Sequence, residues 1–213
     1  MKKVIVGMML MGLMCAGAQA MVLDTMDNIA ATQWYETRGT TLMQQSSFAH
    51  EGTGSMRIAY EQNTNPNLWD VVPQRYFYSL NPPFTPPHNN GLDMTNPAFN
   101  TLTFWVYSDA QAGSANVVQV LLYDAYGSPG PAKFDVADVP GGGWQKITAP
   151  QSAFHSAPAG FHWEYIQTFQ FWISTWDTRG TSSLYIDDMQ LVPEPATMML
   201  LGLGGLFVAR KKR

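Results

Sequence analysis

Cysteine is almost absent from this sequence. The single cysteine, Cys15, lies in an apolar run near the N-terminus, so no thiol is left if that run is removed as a leader. The absence excludes disulfides, zinc-thiolate sites and cysteine nucleophiles in the rest of the chain. The fold must then be stabilised by apolar burial alone, for which the ~170 residues between the two ends are enough.

Positive charge is scarce as well. Between residues 21 and 192 the sequence has six cations and fifteen carboxylates, a net charge of −9. Such a body repels phosphate backbones, so a nucleic acid is not expected as a partner. Cations or neutral ligands fit it better.

Familiar catalytic patterns are also missing. None of the four histidines stands at i, i+4 from another, and there is no His-Glu-x-x-His, Gly-x-Ser-x-Gly or P-loop motif. We therefore expect a protein that is not an enzyme, and we name no catalytic residue. The alternative is a polysaccharide-active enzyme that uses an acid and a base, for which His162 and Glu164 are available.

The first 20 residues have the three parts of a secretory signal. Lys2 and Lys3 are followed by an apolar run from Val4 to Ala16 and by the ending Ala18-Gln19-Ala20. We expect residues 1–20 to form a signal helix that directs the chain across the inner membrane and is removed by signal peptidase.

The C-terminal tail is built from three parts too. Val192-Pro193-Glu194-Pro195 precedes an apolar run from Ala196 to Ala209 and the basic cluster Arg210-Lys211-Lys212-Arg213. As a helix the run spans roughly 21 Å, which is short of the ~30 Å hydrocarbon core. It predicts transient contact with the inner membrane, with the basic cluster on the cytoplasmic face. An ordinary transmembrane helix is the alternative.

This tail resembles the PEP-CTERM sorting signal of Gram-negative bacteria that make exopolysaccharide. The resemblance implies recognition by an exosortase through the motif Pro193, Glu194 and Pro195, and a location in the cell envelope, at the cell surface or in the extracellular matrix. The expected layout is a signal peptide (1–20), one folded domain (21–192) and the sorting signal (193–213).

The body predicts an all-β fold. It has no long stretch of helical periodicity, and Leu102, Phe104 and Val106 alternate with residues of the other face, as in a half-buried strand. Short strands separated by turns predict an antiparallel sandwich. A proline-rich loop is expected at 79–100. The strands are predicted at 54–60, 101–107, 117–123, 144–148, 166–174 and 183–191.

Several segments of the body resemble, in order, the strand motifs of jelly-roll carbohydrate-binding modules, a plan shared by galactose-binding-like domains. The segments are His50-Glu51-Gly52-Thr53-Gly54-Ser55-Met56-Arg57-Ile58, Trp144-Gln145-Lys146-Ile147-Thr148 and Leu184-Tyr185-Ile186-Asp187-Asp188-Met189-Gln190-Leu191. The resemblance implies an antiparallel jelly-roll β-sandwich, here flanked by the signal helix and a short hydrophobic C-terminal helix. It also implies that the first and last strands pair.

A structural calcium site beside those paired strands is a further implication of the resemblance. Its candidate ligands are Asp24, Asp27, Asp187 and Asp188, completed by carbonyls of residues 51–55, and calcium takes oxygen ligands of this kind. Solvated carboxylates at strand ends are the alternative, so the expected cofactor is either structural calcium or none.

Aromatic residues make up 13% of the chain, and a sugar ring can stack its apolar face on such a side chain. Burial in the core is the alternative for each of them. The candidate glycan-binding residues are Trp69, Tyr76, Tyr78, Tyr123, Asp124, Tyr126, Trp172 and Trp176.

The leading hypothesis is an exported, exosortase-sorted surface or matrix protein whose sandwich binds glycans non-covalently, with exopolysaccharide as the expected partner. The second hypothesis is a structural component of the envelope or biofilm matrix with no discrete ligand. Exposure of the candidate aromatics separates the two, because a purely structural protein would bury them in its core.

Overall fold

The computed structural model describes residues 20–30, 34–36, 43–60, 70–71, 73–76, 92–109, 117–136, 139, 141–174 and 182–194. The predicted signal helix, the predicted C-terminal helix and most of the proline-rich loop lie outside these ranges. Within them, no helix is long and apolar enough to cross a membrane.

The described residues form β-strands with two single-turn 3₁₀ helices, Gln151–Ala153 and Trp163–Tyr165. The strands are β1 (Met21–Asp24), β2 (Tyr35–Glu36), β3 (Met43–Ser46), β4 (Ser55–Tyr60), β5 (Asp70–Val71), β6 (Pro73–Tyr76), β7 (Thr101–Ser108), β8 (Val117–Asp124), β9 (Ala132–Val136), β10 (Gln145–Pro150), β11 (Ile166–Ser174) and β12 (Ser182–Val192).

The strands make two six-stranded antiparallel sheets. Sheet A has the order β10-β7-β12-β4-β3, with β1 also paired to β12. Sheet B has the order β2-β6-β11-β8-β9, with β5 also paired to β11. The predicted all-β antiparallel fold is confirmed, and each of the six predicted strands is present with ends that agree to within one or two residues.

Alternation along the central strands places the core between the sheets. In β7, Leu102, Phe104 and Val106 are buried, as predicted, while Trp105 and Tyr107 are only half-buried. From sheet B, Phe169 and Phe171 of β11 pack into the same core cluster. Because successive strand residues point to opposite faces, the residues between these core positions line the outer faces of the sandwich.

The first and last described strands pair, as the resemblance implies. Met21 lies opposite Leu191 and Asp24 lies opposite Met189 in an antiparallel ladder with an irregularity after Val22. The start of β1 and the end of β12 therefore lie together at one end of sheet A. Since β12 ends at Val192, the chain leaves the sandwich at this end and continues into the predicted sorting motif at Pro193.

Candidate functional site

The outer face of sheet B brings together several of the predicted glycan-binding positions. In the ladders of β11, Thr168 lies opposite Tyr123 of β8 and opposite Tyr76 of β6. Trp172, four residues further along β11 on the same face, lies opposite Gln119 of β8. The backbone therefore arranges two rows across the sheet, each with an aromatic position.

The side chains of Tyr123 and Trp172 are half-buried, with part of each ring at the surface. Between their rows lies Leu121, which is on the same side of the sheet yet fully buried and outside the main core cluster. The middle of this face is therefore not open surface, and the accessible ring area lies on either side of it.

Polar groups line one edge of this face. Gln119 Nε2 donates to Asp135 Oδ1 (2.6 Å), and Asp135 Oδ2 lies 3.0 Å from Nε2 of His155. Nδ1 of His155 lies 2.9 Å from Ser156 Oγ. The row that starts at Trp172 thus continues into a line of hydrogen-bonding side chains, which are the groups that fix the orientation of a polar ligand.

The residue types in this line, serine, histidine and aspartate, are also those of hydrolase triads. Their surroundings differ from those of a triad, in which the aspartate is buried. Here the side chains of Asp135 and His155 are 58% and 48% exposed. Ser156 is moreover the immediate sequence neighbour of His155. These two features distinguish the line from a hydrolase triad.

Asp124 is the last residue of β8 and Tyr126 lies in the turn that follows it, beside the loop before β11. Tyr126 is 44% exposed, and its ring lies 4.3 Å from that of His162 and 5.1 Å from that of Tyr165. The buried Asp124 accepts hydrogen bonds from Ser128 N, Ser128 Oγ and His162 N. Burial acts to raise the pKa of Asp124, but these donors outweigh it and the pKa lies below its usual value. Asp124 holds the two loops together.

The remaining candidates are not placed by the structure. Trp69, Tyr78 and Trp176 lie outside the described residues, and for Tyr76 only the backbone is described. Their assignment to a glycan site stays a prediction from the sequence.

The loop of residues 50–54, which the resemblance places in a calcium site, is held by two carboxylates through its amide groups. Asp187 Oδ2 accepts from His50 N (2.7 Å) and Glu51 N (3.0 Å). Asp27 Oδ1 accepts from Thr53 N, from Thr53 Oγ1 and from Gly54 N. Each carboxylate therefore faces N–H donors of the loop.

These two carboxylates have opposite pKa shifts. Burial raises the pKa of Asp187, which is fully buried, although its amide donors partly offset the effect. The hydrogen bonds from Thr53 and Gly54 lower the pKa of Asp27 below its ordinary value of 3.8. The difference follows from solvent access, since Asp27 gains hydrogen bonds while it keeps contact with water.

The other two calcium candidates are also engaged. Asp24 accepts from Met26 N, from Trp34 Nε1 and from Arg75 Nη1. Asp188 accepts hydrogen bonds from Gln190 Nε2 at Oδ1 (2.7 Å) and at Oδ2 (2.8 Å).

No group of three or more acidic, histidine or cysteine side chains suited to a metal ion occurs among the described residues. Amide N–H groups are not calcium ligands, and here they donate to Oδ1 of Asp27 and to both carboxylate oxygens of Asp187. The described residues do not confirm a calcium site, and we derive no role for the ion.

An aromatic cluster on the outer face of sheet A was missed by the analysis of the sequence. We call it the outer aromatic cluster; it consists of Phe48, His50, Trp105, Tyr107, Trp144 and Tyr185. Tyr107 and Tyr185 are cross-strand neighbours. The alternation in β7 already places Trp105 and Tyr107 on the face away from the core, but no local pattern shows that residues 48 and 50 fold over them.

Comparison with known proteins identifies the C-terminal segment. Residues 191–213 match the model of the PEP-CTERM protein-sorting motif. The chain carries a PEP-CTERM sorting signal. This signal indicates export and exosortase-mediated attachment at the cell envelope or surface, as expected from the tail. Within the motif Pro193 and Glu194 are half-buried, whereas Pro195 lies outside the described residues.

The sequence has no significant match among curated proteins. Solved structures similar to this chain include the family 11 carbohydrate-binding module of a cellulosomal cellulase of Clostridium thermocellum, with 13% identity and a TM-score of 0.56. The match covers 84% of this chain and 96% of the module. The same module in complex with a β-1,3-1,4-mixed-linked tetrasaccharide gives 14% identity and a TM-score of 0.55, over 81% and 95% of the two chains.

A family 30 carbohydrate-binding module, also from a cellulosomal cellulase of Clostridium thermocellum, is similar with 12% identity and a TM-score of 0.53. That match covers 76% of this chain and 92% of the module. At these identities the likeness establishes the fold, a carbohydrate-binding-module-like β-sandwich.

Proposed function

We propose that this protein is an exported surface protein whose sandwich binds a neutral glycan chain, non-covalently, on the outer face of sheet B. The observation that carries the proposal is the pair of rows across that face. Trp172, Gln119 and Asp135 are consecutive cross-strand neighbours, and Tyr123 lies four residues from Gln119 on the same side of β8.

The chemistry of these rows suits a sugar ring. A half-buried tryptophan is held rigidly by the sheet and presents an apolar ring face at low entropic cost. The amide of Gln119, the carboxylate of Asp135 and the imidazole of His155 supply donors and acceptors for hydroxyl groups beside it. The exposed carboxylate of Asp135 in this row favours a neutral ligand over an acidic one at this face.

Similar structures support the same ligand class. The family 11 module with the same sandwich fold binds a β-1,3-1,4-mixed-linked tetrasaccharide. A mixed-linked β-glucan is therefore the first probe for this protein, followed by other neutral glucans.

Gel electrophoresis in the presence of dissolved polysaccharide tests the proposal. We expect the full-length chain to be retarded by at least one neutral glucan and not by the empty gel. A protein that is purely structural, as in the second hypothesis from the sequence, is retarded by none of them. No retardation across a broad panel contradicts glycan binding.

For the tail, we propose that signal peptidase removes residues 1–20 and that an exosortase recognises Pro193 to Pro195, leaving residues 21–192 as the surface domain. The intact mass of the protein recovered from its native surface tests both cuts. We expect an N-terminus at Met21 and loss of the apolar run that begins at Ala196. A mass that retains the basic cluster 210–213 contradicts processing of the tail.

A further inference from the structure

The outer aromatic cluster lies on the face of the sandwich opposite to the proposed glycan site. Phe48 is its outermost ring and is 44% exposed. It stacks on Trp144 with ring centroids 5.4 Å apart, and it meets Tyr107 and Tyr185 edge-on at 4.8 and 5.1 Å. The rings therefore form one continuous surface, in which Phe48 packs on top of Tyr107 and Tyr185.

The loop that carries Phe48 is fixed in place. His50 stacks on Trp105 at 3.6 Å, and its backbone N–H is held by the buried Asp187. The Ser55 hydroxyl donates to the carbonyl of Phe48. A preorganised aromatic surface loses little conformational entropy when a ligand binds, which distinguishes it from a mobile hydrophobic loop.

Two cations lie beside these rings. Lys146 of β10 is opposite Trp105, with Nζ 5.8 Å from the ring centroid. Arg57 of β4 is opposite Tyr185 and donates to the neutral oxygens of Ser183 and Gln44. The ion pairs found among the described residues include neither of these cations.

The aromatic and cationic groups form a strip that runs across the strands. Tyr107, Tyr185, Arg57 and Gln44 are consecutive cross-strand neighbours in β7, β12, β4 and β3. At ~4.8 Å between strands, these four positions extend over about 14 Å. A row of this length fits a chain-like ligand better than a small molecule.

We propose that the outer aromatic cluster is a second carbohydrate site, which takes an acidic polysaccharide whose sugar rings carry carboxylate groups. The apolar faces of the sugar rings stack on Phe48 and Trp144, and the carboxylates pair with Arg57 and Lys146. Charge complementarity selects this ligand, since Arg57 and Lys146 both lie beside the rings and neither is in an ion pair among the described residues.

Binding of polygalacturonate, a polymer of a uronic acid, tests the proposal on the full-length chain. We expect Lys146→Gln and Phe48→Ala each to weaken this binding about fivefold or more, and added salt to weaken binding by the unsubstituted chain. Lys133→Gln is the matched control, because Lys133 lies on β9 of sheet B and the substitution removes the same charge. We expect it to change the affinity by less than about twofold.

Three results overturn the proposal: no binding of polygalacturonate, equal losses in Lys133→Gln and Lys146→Gln, or a dimer in sedimentation velocity that Phe48→Ala dissociates. The last result makes the cluster a contact between two copies of the chain. Lys146 is exposed, so its variant reports on the site even if Phe48→Ala fails to fold. Binding of a neutral mixed-linked glucan, measured in parallel, reports on sheet B alone, so failure of one site is distinguishable from failure of the other.

Discussion

Arg75 Nη1 lies 2.6 Å from Asp24 Oδ2 and joins β6 of sheet B to β1 of sheet A. The same nitrogen donates to the carbonyl of Leu23, and Asp24 also accepts from the indole of Trp34. The Asp24 side chain is 1% exposed and that of Arg75 17% exposed. This ion pair holds β1 of sheet A against sheet B, and it explains why Asp24, a candidate calcium ligand in the sequence, is used inside the fold.

Replacing Arg75 tests the importance of that pair. Arg75→Gln leaves the buried carboxylate of Asp24 without its cation, and we expect the free energy of unfolding to fall by about 3 kcal/mol. Arg57→Gln is the control, since Arg57 bonds to neutral oxygens at the surface of sheet A, and we expect a loss below about 1 kcal/mol. Denaturant unfolding of both variants provides the comparison. Equal losses would show that the pair does not hold β1 in place.

The two carboxylates that hold the loop of residues 50–54 predict opposite pH dependences. Because the pKa of Asp27 is lowered in the fold, its stabilising contribution is present above its ordinary value of 3.8 and is lost as the pH falls through the lower folded value. Because the pKa of Asp187 is raised, the folded state takes up a proton before the unfolded state does, and the penalty for its buried charge disappears as the pH falls through the raised value.

Unfolding free energies of Asp27→Asn and Asp187→Asn, measured across the acid range, check these signs. The stability difference between the unsubstituted chain and Asp27→Asn should shrink towards low pH. The difference between the unsubstituted chain and Asp187→Asn should change in favour of the unsubstituted chain as the pH falls. Parallel curves for the two variants would be inconsistent with the different surroundings of the two carboxylates.

Gly52 reports on the fit of Asp27 against the same loop. It has φ of +66°, and a Cβ at this position would lie 2.6 Å from Asp27 Oδ1. Gly127 has φ of +70° with open space around it, so Gly127→Ala measures the backbone strain alone, about 1 kcal/mol. We expect Gly52→Ala to cost about 1 kcal/mol more than Gly127→Ala in chemical denaturation, because the methyl group displaces the carboxylate. Equal costs would mean that Asp27 is not held tightly.

Calcium should not stabilise this fold. The oxygens of Asp27 and Asp187 accept hydrogen bonds from loop amides, so we expect the thermal unfolding midpoint to be the same in calcium and in EDTA. Magnesium is the control for general ionic effects. A rise in the midpoint with calcium alone would show that the loop rearranges to present its carbonyls to the ion.

Much of the fold could be predicted from the sequence because apolar and polar residues alternate locally along the strands. In β7 the apolar residues at every second position are sufficient to identify a strand and its buried face. The strand β3, Met43–Ser46, was not predicted. Two of its four residues are exposed glutamines, and it lies at the edge of sheet A. Edge strands carry little hydrophobic pattern, so tertiary pairing alone defines them.

The sites were harder to predict because they depend on contacts between distant residues. The cluster on sheet A needs the loop around Phe48 to fold over β7, and the hydrogen bond that fixes this loop joins Glu51 to Asp187, 136 residues away. Tyr123 and Trp172 were proposed from the abundance of aromatic residues, and the register of β8 and β11 places both on one face. That register is a property of the whole sheet and cannot be read from either strand alone.

Titration of a neutral glucan into two matched variants tests the proposed function most directly. Trp172→Ala and Trp144→Ala remove the same half-buried side chain from opposite faces of the sandwich. Isothermal titration calorimetry with a soluble mixed-linked β-glucan should show affinity reduced about tenfold in Trp172→Ala, equivalent to ~1.4 kcal/mol, and unchanged in Trp144→Ala. Unchanged affinity in Trp172→Ala, with the fold verified by thermal unfolding, would contradict a glycan site on sheet B.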